Sequence, residues 1–246
     1  MQDNRTIRIA PDAATLFRAA ADEFRRCANE SICERGRFCV ALSGGSTPRA
    51  VYTLLAGDQN NPSMQLPWNK IFIFFGDERH VPPDHPESNY RMANESLLSK
   101  VPVPPQNVYR VSAELDANEA AQKYEGRLRS FLNLQPNEFP RLDLIMLGLG
   151  PDGHTASLFP DSKALEDNSH LVVANWVEKF QQYRITFTLP VLNHAAEVMF
   201  LVSGSDKSQI LREVLQSEKQ IYPAQRVNPE NGVLLWLVDQ AADGLA

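Results

Sequence analysis

The chain has 246 residues, 43% hydrophobic and 22% charged, with a net charge of −6. That length buries one sizeable core, and no linker-like stretch divides it, so residues 1–246 read as one α/β domain. The acidic balance, without any run of Lys and Arg, argues against a nucleic-acid partner. The longest apolar stretch, Val233 to Val238, is far short of the roughly 20 residues a membrane helix needs, so no membrane partner is expected.

The first helical pattern places Leu16, Ala20, Phe24 and Cys27 on one face between Asp12 and Arg35. Pro11 is read as its starter and Gly36 as its end. Phe38 to Leu42 predicts a strand, followed by a turn from Ser43 to Pro48. Ile71 to Phe75 predicts a second strand closed by Gly76 and Asp77, and Leu142 to Leu147 a third closed by Gly148. Later strands are expected at 185–189, 198–202 and 233–238. Helices are expected at 88–99, 118–132 and 206–215. Continuous apolar runs between helices are the pattern of buried parallel strands, so the chain reads as a mostly parallel sheet with helices on both faces. Ligands of such folds bind beyond the C-terminal ends of the strands. Cys27, Cys33 and Cys39 match no CxxC pair and read as reduced packing residues. With no apolar signal segment near the N-terminus, the expectation is a cytoplasmic protein.

The polar segments that follow the apolar runs carry the candidate chemistry. Ser43, Gly44, Gly45, Ser46 and Thr47 link a strand to a helix. Glycines let the backbone approach a ligand, and the free N–H groups at the helix start suit an anion, with two hydroxyls beside them. The same segment suits a plain capped turn, and it is neither a Walker loop nor GxGxxG. Asp77, Glu78, Arg79 and His80 cluster after the second strand. The planar fork of Arg79 suits phosphate oxygens, and Asp77 is counted with the substrate-binding residues, available to orient a site group or else to cap a turn.

His154 lies in the glycine-rich segment from Gly148 to Pro160 and is the best general-base candidate, with Asp152 two residues before it. His80 is placed to line the same site, whereas His85, His170 and His194 read as surface or packing residues. No HExxH motif or close histidine pair supports a metal. Arg184 at a strand start and Lys207 after a strand-to-helix turn stand where anion contacts are expected, and Ser203 and Asp206 read as caps of the helix after that turn. No GxSxG elbow is present, so no serine nucleophile is expected.

Taken together, LSGGSTPRAVY, FFGDERHVPPDHPESNYRMA, LGLGPDGHTASLFP, RITFTLPVLNHAAEVMFLVSG with Lys207, and YPAQRV resemble the 6-phosphogluconolactonase family, in order from about Phe38 to Asp239. The first 35 residues carry little of the match. The resemblance implies a Rossmann-like sheet similar to glucosamine-6-phosphate deaminase and ribose-5-phosphate isomerase. It implies hydrolysis of 6-phospho-D-glucono-1,5-lactone in the oxidative pentose phosphate pathway, with no cofactor. The partner is then a small sugar-phosphate lactone, and the enzyme a monomer or small homo-oligomer. It further implies that His154 is the base and that the Ser43–Thr47 turn, Arg79, Arg184 and Lys207 meet the anionic substrate. Residues Lys179 to Tyr183 depart from the proline-containing approach usual in the family before the match resumes at Arg184. The deaminases resemble the Asp-Gly-His pattern too, but carry a glutamate five residues after that histidine, where this chain has Phe159. A third alternative is a non-catalytic sugar-phosphate sensor, but residues 1–35 carry no basic helix-turn-helix pattern of the kind that usually accompanies one.

Overall fold

The computed structural model describes residues 5–217 and 219–244. In chain order they form β1 (Arg5–Ala10), α1 (Ala13–Arg35), β2 (Phe38–Leu42), α2 (Ser46–Gly57), β3 (Ile71–Phe75), β4 (Asp77–Arg79), α3 (Asn89–Ser96) and α4 (Ala117–Leu132). There follow β5 (Leu144–Gly148), β6 (Val172–Val177), β7 (Gln182–Phe187), α5 (Leu189–Asn193), β8 (Glu197–Val202), α6 (Ser208–Gln216), β9 (Val233–Asp239) and α7 (Gln240–Asp243). Loops and short 3-10 turns join them. The six-stranded sheet runs β1-β9-β8-β5-β2-β3, with every neighbouring pair parallel.

The apolar runs are continuous because both faces of this sheet are covered. Side chains alternate across a strand. Val40, Leu42, Ile73 and Phe75 enter the core beneath α1, α2 and α3. Ala41, Phe74, Ile145 and Leu147 enter the core on the other face, shared with α4 and α6. The expected three-layer α/β arrangement is therefore present. α1 begins at Asp12, whose carboxylate accepts the Thr15 N–H at 2.7 Å. It closes at Gly36, where a φ of 74° favours glycine. Pro11 stands before the cap and not in the first turn, because the cap needs an accepting side chain there.

Several elements differ from the sequence reading. β1 has no apolar run to announce it. It is an edge strand on β9, and Ile7 and Ile9 are exposed. The strand expected at 185–189 runs from Gln182 to Phe187 and does not join the main sheet. It is the centre of a second sheet, β4-β7-β6, antiparallel throughout. The third strand starts two residues late, since Asp143 turns its carboxylate onto the Cys39 N–H at 2.6 Å. α3 stops at Ser96, with Leu98–Lys100 in a 3-10 turn, and α6 begins at Ser208 after another at Ser205–Lys207. Cys27 and Cys39 are buried free thiols, but Cys33 is exposed on α1 and packs against no core. Among the described residues no helix is long and apolar enough to cross a membrane.

Candidate active site

β2 and β5 lie side by side at the centre of the sheet. From β2 the chain steps to β3 on one side, and from β5 to β8 on the other. The order reverses between them, which leaves a crevice beyond their C-terminal ends. A cavity of about 280 Å³ opens there, walled by Ser43, Gly44, Gly45, Ser46 and Thr47 after β2 and by Asp77 and Arg79 in β4. His154 and Lys207 complete the ring. A larger cavity of about 630 Å³ lies outside the small sheet, against α4 and β6. It contains none of the residues expected to carry chemistry, so volume does not decide between the two.

The Ser43–Thr47 turn is built to present donors. The Tyr52 hydroxyl accepts the Ser43 N–H and donates to the Ser43 carbonyl, both at 3.0 Å, which fixes the end of β2. Gly45, with φ of 112°, turns the chain into α2, and no side chain caps the helix there. The N–H groups of Ser46 and Thr47 are thus left for a ligand, while Pro48 has none to satisfy. Ser43 Oγ is buried without a hydrogen-bond partner. At Gly44 a Cβ would lie 1.9 Å from Asn89 Oδ1, so only glycine lets the start of α3 come this close.

Asp77 and Glu78 serve this framework. Asp77 Oδ2 accepts from Ser157 Oγ at 2.6 Å and Oδ1 from Asn89 Nδ2 at 3.2 Å. Both oxygens are spent on protein, so Asp77 braces the wall and does not orient His154. The cap expected of Asp77 belongs to Glu78. Its carboxyl gathers the N–H groups of Arg79, Asn89 and Tyr90 at 2.7–2.8 Å, and the Ser88 hydroxyl at 3.1 Å, at the N-terminus of α3. Burial pushes that carboxyl up in spite of these donors. Arg79 donates to the Glu87 carbonyl and makes no ion pair among the described residues.

His154 is oriented by Asp152. Its Nδ1 bonds Asp152 Oδ1, and that hydrogen bond holds the Asp152 carboxyl well below the usual carboxylate range. A carboxylate can only accept, so Nδ1 carries the proton and Nε2 is the free, basic nitrogen. The ring stacks on Phe159 at 4.2 Å. Gly150 makes room for it, since a Cβ there would sit 2.0 Å from Nδ1. Lys179 Nζ approaches the other Asp152 oxygen at 3.4 Å.

Arg184 does not line the cavity. It sits opposite Arg79 in the β4–β7 pairing and lies over the Phe180 ring at 5.1 Å. Lys207 lines the cavity with Asp206 at 3.6 Å as its ionic neighbour. Neither Ser203 nor Asp206 caps α6. Ser203 donates instead to Asp239, which also accepts the Gly204 N–H. His80 is also outside the wall, its Nε2 bonded to the Leu115 carbonyl at 2.7 Å. Asn89, Gly150 and Phe159 shape the site without having been singled out as site residues. The glycine spacing around His154 is the one signal that pointed toward Gly150.

A profile of the family described as glucosamine-6-phosphate isomerases/6-phosphogluconolactonase matches residues 11–236. The chain belongs to that family. It is 42% identical to a 6-phosphogluconolactonase of Nostoc sp., over 97% of both chains. It is 44% identical to a 6-phosphogluconolactonase of Synechocystis sp., over 87% of this chain and 86% of that one. Among solved structures, 6-phosphogluconolactonase from Trypanosoma cruzi superposes with a TM-score of 0.86 at 27% identity, covering 99% of this chain and 97% of that one. Within the family fold, the cavity at the switch point is where this chain gathers its uncapped helix start, its cations and its His–Asp pair.

Proposed function

We propose that this chain hydrolyses 6-phospho-D-glucono-1,5-lactone to 6-phospho-D-gluconate in the oxidative pentose phosphate pathway. Residues 1–246 act in it as one catalytic domain, as a monomer or small homo-oligomer in the cytoplasm. The relatives that bear this activity in their names support the reaction. The observation that carries the chemistry is His154, backed by Asp152, sharing one cavity with an uncapped helix start, Arg79 and Lys207.

The Ser46 and Thr47 amides, with Arg79 and Lys207, hold the phosphate, and Arg184 adds positive potential from beside Arg79. That grip sets the lactone carbonyl C1 near His154. Nε2 takes a proton from water as the oxygen attacks C1. The carbonyl π pair moves onto oxygen, and nearby donors stabilise the oxyanion. As the oxyanion collapses, the C1–O5 bond breaks and His154 returns the proton to the leaving ring oxygen. The carboxylic acid product then ionises and releases one proton. Ser157 is committed to Asp77 and has no part in this sequence. A deaminase-type ring opening calls for a carboxylate where this chain has Phe159, whose ring lies against the imidazole.

The test is proton release on adding freshly made lactone, against a no-enzyme blank and His154→Ala. Rapid release that the variant loses is expected. Release no faster than the blank sinks the reading, and ammonia release from glucosamine 6-phosphate becomes the next assay.

A further inference from the structure

Arg184 presents an electrostatic problem. The residue is only 9% exposed, its Nε has no hydrogen-bond partner, and it makes no ion pair among the described residues. Its neighbour across the β4–β7 ladder is another guanidinium, Arg79. Burial, and then the charge of Arg79, push Arg184 below the ordinary guanidinium value. Three carboxylates favour its charge from nearby, but Asp77 is engaged by Ser157 and Asn89, Glu78 by the start of α3, and Glu87 makes no ion pair with it. What faces the guanidinium is the ring of Phe180, 5.1 Å from Cζ to centroid.

Phe180 comes from the short connection between β6 and β7. It ends the 3-10 turn Glu178–Phe180, and Gln181 after it takes a left-handed φ of 49°. The turn is held from within, as Glu178 accepts from Trp176 Nε1 at 2.8 Å and from Gln181 Nε2 at 2.7 Å. It is also held from outside, through Lys179 to Asp152 at 3.4 Å. Phe180 is 44% exposed, and its ring meets that of Phe159 in a T-shaped arrangement at 5.9 Å between centroids.

We propose that Phe180 is a positioning residue that holds the Arg184 guanidinium beside Arg79 by a cation–π contact. The choice of an aromatic partner has a consequence for binding. A carboxylate would neutralise the arginine and occupy its N–H donors. A ring face stabilises the charge while leaving those donors unspent, so the positive potential of the pair is available to the substrate phosphate. The inference rests on the lactonase reading above and adds to it a residue outside the cavity wall that sets phosphate affinity.

The experiment is steady-state lactone hydrolysis by the wild type, Phe180→Ala, Phe180→Leu, Phe180→Tyr, Arg184→Ala and the Phe180→Ala/Arg184→Ala double variant. Loss of the ring should raise KM roughly tenfold in both the Ala and Leu variants, as the phosphate is remote from the bond being broken. kcat should stay within about twofold, the sign of binding lost equally in ground and transition states. Phe180→Tyr, which keeps the π face, should restore the wild-type KM. In the Arg184→Ala background, removing Phe180 should add less than about twofold, because the two act as one unit. A Phe180→Ala variant with unchanged KM overturns the proposal, as does a KM penalty undiminished without Arg184, and either leaves the lactonase reading standing. A wild type that does not hydrolyse the lactone overturns both.

Discussion

Gly150→Ala isolates the geometry of the base. The backbone at Gly150 lies outside the left-handed region, so alanine meets no conformational objection there. The obstacle is the imidazole, since the new Cβ would stand 2.0 Å from Nδ1 and 2.1 Å from Cε1 of His154. Phe159, stacked on the ring at 4.2 Å, limits its freedom to shift. It must swing by an ångström or more off its bond to Asp152. A displacement of about 1 Å at a reacting group costs on the order of 100-fold in rate, or roughly 2.7 kcal/mol of activation free energy. The proposed phosphate contacts are elsewhere in the cavity, so kcat should fall by about that factor while KM changes little. The assay is proton release from the lactone at constant pH, with circular dichroism and a melting curve to confirm the fold. A kcat within about threefold of wild type would refute the argument that ring placement limits this site.

The Asp152→Asn variant can donate to Nδ1 and so stabilises the wrong tautomer; its kcat should fall at least about 100-fold in the same assay. Its acid unfolding should also change. The wild-type Asp152 carboxyl is depressed by His154, so its contribution is present above the free value of about 4 and lost as pH falls through the folded value. Below about pH 4 the wild type should therefore lose stability more steeply with falling pH than Asp152→Asn. Ser157→Ala leaves Asp77 Oδ2 buried without its 2.6 Å donor and should cost about 1–3 kcal/mol in chemical denaturation, with turnover retained within a few-fold. Abolished turnover in a folded Ser157→Ala would reopen a serine nucleophile. Gly126 lies inside α4, where a Cβ meets nothing within 4 Å, so Gly126→Ala should stabilise by about 0.5–1 kcal/mol and raise Tm by a few degrees. A lowered Tm would contradict that helix environment.

The aromatic turn and the small sheet carry the weakest local signals in the sequence. Phe180 and Arg184 are four residues apart, and a short polar turn gives no local clue that its ring will face a buried guanidinium. β4 is three residues long and polar, and β6 mixes buried and half-buried positions, so neither carries the continuous apolar signal of β2 or β3. β1 was invisible for the same reason, as an edge strand exposing Ile7 and Ile9. Asp77 reads in sequence as a residue to orient a site group or cap a turn, but it stands on the cavity wall with its oxygens consumed by Ser157 and Asn89, 80 and 12 positions away in sequence.

The sequence by itself determined the parallel core, because strands covered on both faces must be apolar at every position. It also pointed to the turns that meet in one cavity, because glycine-rich polar segments follow those strands directly. His154, Asp152 and the Ser43–Thr47 turn were legible on that ground. Tertiary structure alone decided the pairing of groups across the fold: Asp77 with Ser157, Glu78 with the start of α3, Arg184 with Phe180. Such choices depend on burial and on which donors remain unsatisfied once the layers close, and neither is a property of local sequence.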